Sequence, residues 1–128
     1  MMTTIPLPTV NRQLRLRRGR YFRIVFRRKN DKVEGGRVVA RAGELREMLC
    51  RLNVHAYKNR VTGLGRVISD EERAEEDRRC RVLTCWCVDE YHRLRRAGTA
   101  RVTAGRRSYR RVNLVGVVEI TPWIEEVE

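Results

Sequence analysis

The chain is poor in the residues that most catalytic and cofactor chemistry requires. Of its 128 residues only 2 are histidine, 3 lysine and 3 proline, and aromatics make up 6%. His55 and His92 are the only imidazoles, and neither stands in a motif that pairs a Ser or Cys nucleophile with a base and an orienting carboxylate. A Gly-rich phosphate loop is missing, since GLGR at 63–66 and AGELR at 42–46 have neither the Lys-Ser/Thr ending nor dinucleotide spacing. No cofactor is expected on that ground. Apolar runs stay well below the roughly 18 residues of a membrane span, and the opening has no apolar core of export-signal length. The expectation is a cytoplasmic protein with no membrane partner. The Arg-rich, acid-poor opening superficially suits a mitochondrial targeting peptide, but Pro6 and Pro8 interrupt the amphipathic helix such a peptide needs.

A Cys-x-x-Cys knuckle is also missing. Zinc would need Cys80, Cys85 and Cys87 with Cys50, His55 or His92 as a fourth ligand, and the spacing gives that set little support. Within a strand Cys85 and Cys87 share the face opposite Trp86, where small sulfur side chains pack well as free thiols, so no metal is expected. Asp89, Glu90 and His92 could assist metal-dependent phosphodiester chemistry, but the same residues serve equally as a solvated strand end.

Arginine is what the chain has in excess: 26 residues, setting a formal net charge of +13 against 16 acids. Arg is encoded by GC-rich codons, so composition alone says less than arrangement. Residues 1–40 hold 11 bases and 2 acids, 41–80 hold 9 and 8, and 81–128 hold 9 and 6. Arg12 to Lys29 carries nine bases and no acid, and Arg93 to Arg111 carries eight and no acid. Between them lies DEERAEED at 70–77, a solvated helix or loop, or a phosphate mimic held against a basic tract. Excess positive charge in acid-free tracts favours a phosphate-bearing partner.

YFRIVFRR at 21–28 alternates as a strand, with Phe22, Ile24 and Phe26 on its core side. Asn30, Asp31, Gly35 and Gly36 supply turns before GRVVARA, which predicts a hairpin. GELREMLCRL at 43–52 fits a helix through Leu45, Met48, Leu49 and Leu52, or a strand through Arg46, Met48, Cys50 and Leu52. Residues 55–69, with Asn59, Gly63 and Gly65, read as an irregular connection. CRVLTCWCVDEY at 80–91 reads as a central strand with Trp86 in the core. HRLRRAGTARVTAGRR at 92–107 reads as a basic hairpin tip or exposed insertion. SYRRVNLVGVVEI resumes strand character, Gly116 marking a bulge or bend. Trp123, in TPWIEEVE, reads as a cap on the core or an anchor for an acidic tail.

Ser108, Tyr109, Arg110, Arg111, Val112, Asn113, Leu114, Val115, Gly116 and Val117 form a strand that resembles the last part of small phage- and plasmid-encoded proteins with SH3-like β-barrels. The basic-ended aromatic strand YFRIVFRRKN, and Gly43, Leu45, Arg46, Met48, Cys50, Arg51 and Leu52, are similar to two further strands of that group. The resemblance covers about half the chain in short pieces and implies that residues 43–52 are a strand. It points to a group of uncharacterised function.

The resulting expectation is a mainly β, single-domain SH3-like or related antiparallel β-barrel over residues 20–121, with an acidic connection at 70–77 and a basic hairpin at 92–107. A basic N-terminal arm at 1–19 precedes it and an acidic tail at 122–128 follows. The expected function is non-catalytic nucleic-acid binding, to single-stranded or structured nucleic acid, as an accessory protein of a mobile element. Arg12, Arg15, Arg17, Arg18 and Arg20 would grip the backbone, Arg95, Arg96, Arg106 and Arg107 would extend that grip, and Tyr109 with Arg110 would meet bases or sugars. The alternative is a module that docks on a host nucleic-acid enzyme through Trp123 and the acidic tract.

Overall fold

The computed structural model describes residues 3–53 and 69–123. Phe22, Ile24 and Phe26 share the core side of β1 (Tyr21–Arg27), with Val25 buried on the other side; β1 pairs antiparallel with β4 (Leu45–Arg51) on one side and β7 (Val117–Pro122) on the other. Residues 43–52 therefore supply a strand, with Met48 and Cys50 facing the core. β4 continues to β5 (Val82–Cys87), and β5 to β6 (Tyr109–Asn113), giving one antiparallel sheet of order β6-β5-β4-β1-β7. The predicted hairpin is β2 (Lys32–Glu34) with β3 (Arg37–Ala40), a separate ribbon that leaves Val33, Val38 and Val39 exposed.

Among the described residues the sheet stays open, with β6 and β7 as its edges, so the closed barrel is not formed. "Mainly β" is likewise too strong, because strand and helix take about 38% and 37%. Helices occupy two stretches read from sequence as an arm and as strand or hairpin, and the acidic tract, read as helix or loop, takes the helical form. The supposed arm holds α1 (Leu7–Leu16), whose Val10 and Leu14 are fully buried in the same cluster as Phe22 and Ile24. Pro6 and Pro8 do not break this helix because they sit at its N-cap and first turn, where the missing N–H has no intrahelical partner to lose.

The acidic tract forms α2 (Asp70–Arg79), opened by a capping box in which Glu72 N–H donates to Ser69 Oγ at 3.1 Å and Ser69 N–H donates to Glu72 Oε1 at 3.3 Å. The predicted central strand stops at Cys87, and the basic hairpin is instead α3 (Val88–Arg96) followed by α4 (Arg101–Arg107). Acids in the first turn of α3 and bases in its last complement the helix dipole. Gly98, at φ 90°, turns the chain between the two helices.

α1 and α2 are joined by a buried clamp. Asn11 Nδ2 donates to the carbonyls of Asp77 at 2.8 Å and Cys80 at 2.9 Å, satisfying backbone groups where α2 ends. Arg15 Nη2 pairs with Glu76 at 2.9 Å and Asp77 at 2.7 Å, and both carboxylates are buried. Burial works against the Arg15 charge, but hydrogen bonds and charge from Asp77 and Glu76 outweigh it and raise its pKa above the ordinary value.

A single 3₁₀ turn, Leu114–Gly116, carries the chain from β6 to β7. A Cβ on Gly116 would lie 2.9 Å from the Arg27 carbonyl oxygen, so this turn closes against the end of β1 only with glycine. Gly116→Ala is expected to lower stability by about 1–3 kcal/mol through that overlap. Urea unfolding measures it, and an unchanged midpoint would contradict the close approach.

The N-terminal segment also reaches the sheet, as Ile5 N–H donates to the Val117 carbonyl at 2.7 Å. No helix among the described residues is long and apolar enough to cross a membrane. The connection expected at 55–69 lies almost wholly, and the tail from 124 wholly, outside the described residues.

Candidate functional site

One face of the sheet is covered by α1, and the opposite face carries a continuous row of large side chains. Strand alternation sends Leu83, Cys85 and Cys87 of β5 inward and Thr84 and Trp86 outward. Trp86, read from sequence as core, therefore belongs to the outer face. The register sets Tyr21 opposite Arg51, Arg51 opposite Trp86, and Trp86 opposite Tyr109, so β1, β4, β5 and β6 contribute one residue each to a single cross-strand row. These four, with Asn53 and Thr84, line a concave site of about 270 Å³.

The row is braced at Trp86 by the two helices between β5 and β6, and at Tyr21 by Trp123. Trp86 Nε1 donates to the Gly105 carbonyl of α4 at 2.9 Å, and its ring lies 5.0 Å from that of Tyr91 on α3. The Arg51 guanidinium stands over the Tyr21 ring at 5.7 Å, and Trp123 meets Tyr21 edge-on at 6.0 Å. Tyr109 is 53% exposed, and its ring stands on β6 as the outermost member of the row. Farther along the outer face, Arg23 is occupied between Glu47 at 2.9 Å and Glu119 at 3.0 Å.

The predicted arginines divide by location. Arg15 is committed to the α1–α2 clamp and only slightly exposed. Arg17 is half-buried and donates to the Gln13 carbonyl at 3.1 Å, while exposed Arg12 bonds Thr9 Oγ1 at 3.2 Å and lies on α1. Arg18 and Arg20 are exposed in the segment that leads into Tyr21; the Arg18 backbone bridges Leu52, next to Arg51, and its Nε donates to the Arg15 carbonyl at 3.1 Å, so the two flank the row at the strand ends of β1 and β4. Arg106 and Arg107 are exposed at the last turn of α4, next to the carbonyl that holds Trp86. Arg95 and Arg96 are exposed on α3, Arg95 bonding the Thr99 carbonyl at 3.0 Å. Arg110 points away from Tyr109's face, pairing with Glu90 at 2.8 Å and donating to the Arg107 and Tyr109 carbonyls.

Sequence reading placed Tyr109 and the flanking arginines but missed Arg51 and Trp86. The signal that finds them is the pairing of faces: once the cysteines of β5 are inward, Trp86 is outward, and Arg51 follows from the inward Cys50 opposite Cys87.

The carboxylates suggested for metal-assisted chemistry have structural partners. Asp89 Oδ2 accepts from Leu49 N–H at 3.0 Å. Glu90 pairs with Arg93 and Arg110, and the hydrogen bond from Arg93 holds its carboxyl below the usual range. Among the described residues no group of three or more His, Cys, Asp or Glu is arranged to hold a metal. The four cysteines are buried free thiols; a hydrogen bond with Cys85 and burial push the Cys50 thiol up, and burial does the same to Cys87, disfavouring the reactive thiolate.

The acidic tract that a docking surface would use is partly consumed within the fold. Glu76 and Asp77 are buried on Arg15, and Asp70 and Glu75 pair with Arg73, Arg78 and Arg79 of their own helix. Comparison with protein-family models, with curated proteins and with solved structures finds no match, so the function has to be argued from this site itself.

Proposed function

We propose that the chain is a non-catalytic nucleic-acid-binding protein whose contact surface is the outer face of its five-stranded sheet. One observation carries this reading: Tyr21, Arg51, Trp86 and Tyr109 form an uninterrupted row across four adjacent strands and line a concave site, with exposed arginines in the segments that lead into Tyr21 and Tyr109. Aromatic rings offer stacking surfaces to bases, and guanidinium groups meet phosphate bidentately. The strand order, in which a four-strand meander is followed by a last strand beside the first after a 3₁₀ turn, supports an SH3-like reading of the sheet without barrel closure.

The test is binding to fluorescein-labelled single- and double-stranded DNA and RNA oligonucleotides across a salt series. Affinity is expected to fall linearly in log–log form with salt, since phosphate contacts release counterions. Arg106→Ala with Arg107→Ala should flatten that slope by about 1–2. Binding too weak to measure at low salt, or untouched by the paired substitution, would refute the assignment.

A further inference from the structure

Resting on that reading, we infer that the site takes unpaired nucleotides, two or three of them laid across the strands from β1 to β6, and is indifferent to base identity at Trp86. The row crosses three strand-to-strand gaps, a span of about 14 Å. A backbone drawn out to roughly double the stacked repeat of about 3.4 Å per nucleotide covers that span with two or three nucleotides. The path is bordered by base, with Arg18 and Arg20 in the exposed segment leading into Tyr21 and Arg106 and Arg107 following the Gly105 carbonyl that holds Trp86, so phosphates along it pass within reach of guanidinium groups.

Duplex does not fit the same contacts. In a double helix the base faces are covered by their neighbours, and the rings of the row could be reached only by unstacking. Trp86, moreover, has spent its one donor on the Gly105 carbonyl, leaving an indole that can stack but has no N–H with which to select a base edge. Arg51 carries its charge in the middle of the row, over Tyr21, where it can cover a base plane as the aromatic rings do.

The experiment follows Trp86 fluorescence in a Trp123→Phe protein titrated with 12-nucleotide oligothymidylate, 12-nucleotide oligouridylate and a 12-base-pair duplex of mixed sequence. At least one single strand is expected to quench Trp86 and to bind at least tenfold more tightly than the duplex. Tyr109→Ala is expected to weaken single-strand binding about 10- to 100-fold, with Tyr109→Phe restoring it, and to lower the weak duplex binding at low salt by a much smaller factor. Shortening the oligothymidylate from 12 to 6 nucleotides should cost little, and shortening it to 2 should cost most of the affinity. Duplex binding as tight as single-strand binding, an equal effect of Tyr109→Ala on both, or tight strand binding without Trp86 quenching would each overturn the inference while leaving nucleic-acid binding as such intact. Absence of all binding at low salt would instead remove the broader assignment and this inference with it.

Discussion

Replacing Arg15 with alanine is expected to cost about 3–5 kcal/mol of folding stability, because it leaves two buried carboxylates without their cation. The Arg15 side chain reaches Glu76 at 2.9 Å and Asp77 at 2.7 Å, and neither acid is exposed enough to recover its solvation from water while α2 stays docked. Arg12→Ala and Arg18→Ala, on exposed positions of the same basic tract, should stay within about 0.5 kcal/mol of the parent. Chemical denaturation of the three variants measures the contrast. Equal small losses in all three would show that the α1–α2 clamp contributes nothing, whereas the expected pattern separates the arginine that holds the fold from those that face solvent.

Leu14→Ala carries the second large effect, a loss of about 2–5 kcal/mol from truncating a fully buried side chain. Leu16, two residues on in the same helix, is 78% exposed, and its replacement by alanine should be within about 0.5 kcal/mol. If Leu14→Ala were as mild as Leu16→Ala, α1 would not be packed against the sheet. The expected contrast also bears on how binding should be examined: a chain shortened past residue 16 would lose Val10, Asn11, Leu14 and Arg15 together. Any fall in affinity would then report unfolding as much as lost phosphate contacts. Single substitutions at Arg18, Arg20, Arg106 and Arg107 avoid that confusion.

Strand positions were legible wherever apolar residues alternated strictly. Phe22, Ile24 and Phe26 give β1 directly, whereas β6, Tyr-Arg-Arg-Val-Asn, has no such alternation and is marked only by the β-rich run that follows it. Residues 43–52 satisfy helical and strand periods at once, and tertiary pairing with β1 decides for the strand. The helices were obscured for separate reasons. In α1 the two prolines read as breakers although they occupy the helix start, and Val10 and Leu14 are one helical turn apart amid basic neighbours. In α3 the same nine residues that continue a β-rich run, VDEYHRLRR, have a charge order suited to the helix dipole. In the stretch after Gly98, the arginines suggested an exposed loop, while Ala104 provides the buried side of a short helix.

The candidate site was half legible. Tyr109 and the arginines that border the row follow from local sequence, but the row itself is a property of register. Arg51 and Trp86 are 35 positions apart in the chain and become neighbours only when Cys50 and Cys87 face each other across β4 and β5. A charge tract, by contrast, is visible in sequence without saying which members are consumed inside. Arg15 and Arg110 are both paired with acids that the sequence places far away or in another tract.

The open sheet has a consequence for crowding. Copies bound side by side along one strand of nucleic acid would bring the free margins of β6 and β7 close together, and such margins can anneal into a continuous intermolecular sheet. On β7 the Ile5 amide already occupies the Val117 carbonyl, and the strand terminates at Pro122, which has no amide hydrogen to offer. On β6 the margin is only five residues long, Tyr109–Asn113, which limits the ladder a neighbouring copy could form on it. An unclosed sheet can thus line up densely on a polyanion while each copy remains a separate folded unit.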